Sequence, residues 1–162
     1  NEWGGKFVSL HKGLEFDQGF KNSTLELIEN NNNVILVYPL PEVGWNVPKK
    51  IIELSETKNL IKLKKITLND ASKIPILTTN FDVYLKRSSK SFELYNSIVD
   101  KRVFRVYPHE ILCNQSIKGR CIANDQNYTY YSDDDHPSEV TSNLIAEKIF
   151  EKIELIVTNE KN

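Results

Sequence analysis

Two kinds of pattern alternate along the chain. Residues 33–39, Asn-Val-Ile-Leu-Val-Tyr-Pro, are continuously apolar between their ends. A run without a polar face predicts a strand covered on both sides, as in a parallel sheet. Residues 102–108, Arg-Val-Phe-Arg-Val-Tyr-Pro, form a second strand pattern, rich in β-branched and aromatic residues and stopped by Pro108. Residues 6–10 read either as the tail of another strand or as a loop leading into a helix.

Helical spacing fills the intervals. Over residues 20–30, Phe20, Leu25, Leu27 and Ile28 gather mostly on one side, and the Asn30–Asn33 run ends the pattern. Pro48 ahead of Ile51, Ile52 and Leu54 predicts a helix with proline in its first turn. Residues 81–99 carry Phe81, Tyr84, Leu85, Phe92, Leu94, Tyr95, Ile98 and Val99, with Asn80 as the expected N-cap. A last helix is expected over residues 137–157, with Leu144, Ile145, Ile149, Phe150, Ile153 and Ile156 as its apolar stripe. Residues 120–131 read as a hairpin turning around residues 124–127, and residues 62–70 and 78–80 as loops. Strands alternating with helices predict the α/β class: a three-layer α/β/α sandwich with a mostly parallel sheet. In such sheets ligands bind beyond the carboxyl ends of strands. The loop of residues 41–48 lies at such an end, and its Trp45 is either a cleft residue or a packed loop aromatic.

The chain has 162 residues, 40% of them hydrophobic and 27% charged, which fits one globular domain. Lys+Arg 21 against Asp+Glu 22 leaves a net charge of −1. That balance argues against binding nucleic acid or an anionic membrane through overall charge, so no nucleic-acid partner is expected. No run reaches the roughly 18 apolar residues of a membrane span, and no signal-peptide pattern is visible. The chain starts at Asn1 and contains no Met, and is expected to be a piece of something longer.

Cys113 and Cys121 flank Asn-Gln-Ser-Ile-Lys-Gly-Arg, in which Gly119 lets the chain turn. Either they close a short disulfide loop or they are two buried thiols behaving as small hydrophobes. A zinc site would need further ligands nearby. A disulfide would imply an oxidising compartment. Three Asn-x-Ser/Thr sequons begin at Asn22, Asn114 and Asn127, and matter only in a eukaryotic secretory protein.

The segment with the most chemistry is Tyr130-Tyr-Ser-Asp-Asp-Asp-His-Pro-Ser138, just before the terminal helix. Asp133, three residues before His136, can curl back within one turn and accept the Nδ1 proton. That would fix the imidazole tautomer and leave Nε2 free to act as a base on a serine. Two other readings stand beside it. An acidic cluster before a helix is favoured by capping and the helix dipole alone, and a Ca²⁺ or Mg²⁺ site could use the same oxygens.

Tyr130-Tyr131, Asp133-x-x-His136 and Ser138 resemble the block that closes SGNH-type hydrolases. More narrowly, the chain resembles the SGNH domain fused behind membrane-embedded O-acyltransferases of the OafA/YrhL type. The strand and Pro-Glu turn over residues 34–42 with Pro48, the Val106-Tyr-Pro108 step into Ile111-Leu-Cys113, and the Cys pair upstream of the Asp-x-x-His block carry that narrower likeness. It covers residues 34–150. Pro137 departs from the usual Leu and Thr141 from a common Gly, and no Gly-Asp-Ser or Gly-x-Asn-Asp block is present. The resemblance then implies a single domain, residues 1–162, that is the C-terminal part of an SGNH-like domain incomplete at its N-terminus, with the nucleophile block and a membrane domain upstream.

The resemblance further implies an acyltransferase or esterase acting on O-acyl groups of cell-envelope carbohydrate, in the periplasm or otherwise outside the cytoplasm. His136 would be the base and Asp133 its orienting acid. The partners would be the membrane domain of the same polypeptide and a carbohydrate acceptor, with no metal or organic cofactor. Ser88, Ser89, Ser91 and Ser116 lack the Gly-rich elbow of a nucleophile, and His11 and His109 read as surface or structural histidines. The alternative is a non-catalytic glycan-binding or structural module of a membrane acyltransferase. A third reading, a flavodoxin-like regulatory domain, fits the Cys pair poorly.

Overall fold

A computed structural model describes residues 13–54 and 74–160. The expectations for residues 6–10 and 62–70, and for His11, lie outside them.

The order is α1 (Leu14–Glu29), β1 (Val34–Val37), α2 (Val47–Leu54), β2 (Thr78–Asn80), α3 (Phe81–Asn96), β3 (Val103–Val106), α4 (His109–Leu112), β4 (Arg120–Ile122) and α5 (Glu139–Asn159). The two apolar runs become β1 and β3, which pair in parallel from Val34 opposite Val103 to Val37 opposite Val106. The class is α/β, with about half of the described residues helical and two small sheets. The second sheet is antiparallel: β2 runs against β4, Thr79 opposite Cys121. Residues 78–80 are therefore a strand, where a loop was expected. Their polar sequence gives no strand pattern, and the pairing is with a segment about forty residues away, which local spacing cannot register.

The expected hairpin over residues 120–131 is present in shorter form: Asn124 bridges Thr129, the Tyr130 amide donates to the Ala123 carbonyl at 2.9 Å, and residues 120–122 pair with β2. Asp125 closes that turn, accepting the amides of Asn127 and Tyr128 at 2.7 and 2.8 Å and the Tyr130 hydroxyl at 2.7 Å.

Helix ends follow local chemistry. Asn80 caps α3, its side chain accepting the Val83 N–H at 3.1 Å. Pro48 stands at the second residue of α2, in the first turn, where its missing N–H costs nothing. Helix α1 begins at Leu14, six residues before the apolar spacing at Phe20. Glu15 and Asp17 suit its first turn electrostatically, while Leu14 and Phe16 are exposed, so hydrophobic periodicity misses this end. Asn31, in the left-handed region at φ 64°, turns the chain out of α1 into β1. Helix α3 stops at Asn96, and Val99, expected within its apolar stripe, is exposed. Helix α5 is capped by Ser138, which puts Pro137 before the helix and not in it.

Two apolar clusters organise the molecule. Ile28 of α1, Leu36 and Tyr38 of the β1 strand and its exit, Ile98 and Val103 pack together under Phe20, Phe92 and Tyr95. The second cluster joins Val43 and Val47 to Leu112, the Cys113–Cys121 disulfide, Ala123 and Tyr131. Trp45 packs on its flank, which makes it a packed loop aromatic. This second cluster is the floor on which the candidate site stands.

Candidate active site

The segment before α5 folds as a tight reversal. Tyr131 bridges Pro137, the Ser132 amide donates to the His136 carbonyl at 3.0 Å, and the Ser138 amide donates to the Tyr130 carbonyl at 3.0 Å. Neither bond needs an N–H from residue 137, which is why proline is tolerated there. Thr141 is buried beneath, its hydroxyl donating to the Tyr130 carbonyl at 2.7 Å. Both departures from the usual residue types thus have local partners.

At the tip of the reversal, Asp133 uses its two carboxylate oxygens differently. Oδ1 accepts the backbone N–H groups of His136 at 2.8 Å and Asp135 at 3.1 Å. Oδ2 lies 2.8 Å from His136 Nδ1. Those amide bonds, then the His136 ring, hold the Asp133 carboxyl down at about 2. An ionised carboxylate can only accept, so Nδ1 carries the hydrogen and Nε2 is the basic nitrogen. Asp135 adds a second carboxylate 2.9 Å from Nδ1. The Asp133 bond raises the His136 pKa above its usual value, reinforced by the charges of Asp133, Asp135 and Asp134. The imidazole is 72% exposed.

Orientation of the histidine and capping, set out as alternatives, are both present, but the cap is of the reversal itself. The N-cap of α5 is Ser138, whose Oγ faces the Thr141 amide at 3.4 Å. The cation reading has a geometric basis too: Asp133, Asp135 and His136 offer ligand atoms within 4.8 Å of one another. A cation there would compete with the N–H groups that Asp133 already accepts.

The reversal is fastened to the loop leaving β1. The Val43 amide donates to the Asp134 carbonyl at 2.9 Å, and the Val47 amide to the Asp133 carbonyl at 3.0 Å. The buried Tyr131 hydroxyl donates to the Pro41 carbonyl. The strand-end loop singled out for ligand binding thus lies against the Asp133–His136 tip. Sequence reasoning assigned no role to Tyr131, Val43 or Val47. The Tyr-Tyr pair was a visible signal; the two amides had none.

The remaining candidates are placed apart from this chemistry. Ser88, Ser89 and Ser91 lie in α3, and Ser116 lies in the exposed disulfide loop. His109 is packed among Phe81, Tyr84, Phe92 and Tyr107, and burial lowers its pKa, as befits a structural ring. Among the described residues no helix is long and apolar enough to cross a membrane. The disulfide expected of Cys113 and Cys121 is formed. No curated protein and no solved structure gives a significant match. The description "SGNH domain (fused to AT3 domains)" matches residues 4–151, so the chain belongs to the family of SGNH domains fused to acyltransferases.

Proposed function

We propose that this chain supplies the base half of a serine acyl-transfer site, acting on O-acyl groups of a cell-envelope carbohydrate outside the cytoplasm. One observation carries the reading: His136 Nδ1 stands 2.8 Å from an Asp133 carboxylate whose other oxygen is locked by two backbone amides. That carboxylate cannot swing away without breaking its turn, so the imidazole is held in one tautomer with Nε2 outward. Family membership supports the reaction class, and the disulfide supports an oxidising compartment.

In this reading a serine supplied from upstream of residue 1, within a larger three-layer domain, attacks the acyl group. His136 takes the serine proton and Asp133 stabilises the imidazolium. His136 then returns a proton to the leaving oxygen, and a carbohydrate hydroxyl, or water, accepts the acyl group. A fused membrane acyltransferase domain would deliver the acyl group.

The test is acyl transfer by the parent protein carrying His136→Ala or Asp133→Asn. Loss of the base should reduce kcat by about 10⁶-fold, and Asp133→Asn by about 10⁴-fold. Unchanged transfer in His136→Ala would overturn the reading and leave the chain as a glycan-binding or structural module.

A further inference from the structure

The loop between β1 and α2 touches the site on one side and α3 on the other. Toward the site it offers the Pro41 carbonyl and the Val43 and Val47 amides. Toward α3 it is fastened twice. The Tyr84 hydroxyl donates to the Pro39 carbonyl at 2.8 Å. One turn on, the Arg87 guanidinium donates to Glu42 Oε2 at 2.8 Å. The Arg87 side chain is 7% exposed and that of Glu42 31%, so water screens this ion pair less than the exposed pairs Lys90–Glu93 and Lys148–Glu151.

Glu42 sits between Pro41 and Val43, the residues that hold Tyr131 and Asp134. Its carboxylate therefore anchors the loop at the point where the loop grips the site. Gly44, at φ 77°, turns the backbone immediately afterwards. Burial of Val43 and Val47 in the disulfide cluster and the Tyr84–Pro39 bond also hold the loop; the Glu42–Arg87 pair adds a charged tie at the point of grip.

We propose that the Glu42–Arg87 ion pair is the positioning device of the site, holding the strand-end loop so that its amides fix the Asp133 and Asp134 carbonyls and aim His136. Both residues are positioning residues: neither is given contact with a reacting atom. The inference rests on the reading of His136 as base.

The test follows the His136 ring directly, by NMR titration of the 162-residue chain with labelled imidazole. The charged groups facing that ring are Asp133, Asp135 and Asp134, all on its own reversal. In Arg87→Met the titration midpoint of His136 should fall toward that of Asp133→Asn, and Arg87→Lys should restore part of the shift. Glu42→Gln, which keeps the shape and one acceptor oxygen, should act in the same direction and serves if Arg87→Met does not fold. In the parent protein the same variants should lower kcat about 10–100-fold with KM little changed. A midpoint unchanged in folded Arg87→Met or Glu42→Gln would overturn the proposal, whatever the change in stability. That outcome is separable from failure of the catalytic reading, which His136→Ala tests by itself.

Discussion

Asp133 shows how one side chain serves two ends. Its Oδ1 closes the turn and its Oδ2 aims the imidazole, so the structural and chemical roles cannot be separated by deleting the carboxylate. Asp133→Asn keeps an acceptor for the amides but removes the nearer of the two carboxylate charges beside Nδ1, leaving that of Asp135. The His136 midpoint should then drop toward its usual value, read by the same NMR titration. The pH dependence of catalysis follows from the raised pKa. A base must be neutral, so kcat/KM should rise with pH through a midpoint above the ordinary 6.5 of histidine, and Asp133→Asn should move that midpoint down. Stability runs the opposite way. The stabilising effect of His136 is full below its unfolded-state value and is lost as pH rises through the raised folded value. That of Asp133 is present above its unfolded value near 3.8 and is lost as pH falls toward about 2. Tyr131→Phe removes only the hydroxyl that donates to the buried Pro41 carbonyl. It should cost about 1–3 kcal/mol in denaturant unfolding.

At the scale of elements, caps and the disulfide decide where segments begin and end. Asn80 closes β2 and opens α3, and Asn80→Ala should destabilise by about 1 kcal/mol through the lost bond to the Val83 amide. The Cys113–Cys121 bond ties the end of α4 to β4 beside the site floor. Asn114, at φ 58°, accepts the Gly119 amide at 2.6 Å, so the enclosed loop is ordered by its own turn as well as by the sulfur bridge. Replacing both cysteines by serine should lower stability by roughly 2–3 kcal/mol on the chain-entropy account. Thermal unfolding with and without reductant checks this, and a chain whose midpoint ignores reductant would show that the turn alone orders the loop. The segments that became β1 and β3 were legible for different reasons: β1 is unbroken by polar residues, and β3, although it contains Arg105, is rich in β-branched and aromatic residues and stopped by Pro108. Strand β2 was not, because Thr-Thr-Asn becomes a strand only when β4 is beside it.

For the whole molecule, the two apolar clusters carry different tasks. The aromatic one, around Tyr38 and Ile98, holds α1 and α3 to the parallel pair. Ile98 is fully buried there, and Ile98→Ala should cost about 2–5 kcal/mol while leaving the His136 titration in place. The disulfide cluster carries the site, so Leu112→Ala, of similar burial, should disturb both stability and that titration. Comparing the two variants by denaturant unfolding and by NMR separates a general loss of packing from a loss of the site's floor. Equal effects on His136 would show that the two clusters act as one.

The sequence by itself determined the α/β class, the two segments that became β1 and β3, the proline at the start of α2, the Asn80 cap and the Asp133–His136 spacing. Each rests on contacts within a few residues or on a run of apolar, β-branched and aromatic residues, and local chemistry suffices for those. Tertiary structure decided that residues 78–80 are a strand and that Ser138, not an aspartate, caps α5. It also decided that the β1 exit loop grips the Asp133 and Asp134 carbonyls. Those bonds join backbone groups about ninety residues apart, and backbone amides and carbonyls are the same in every sequence. Only the path of the chain brings them together.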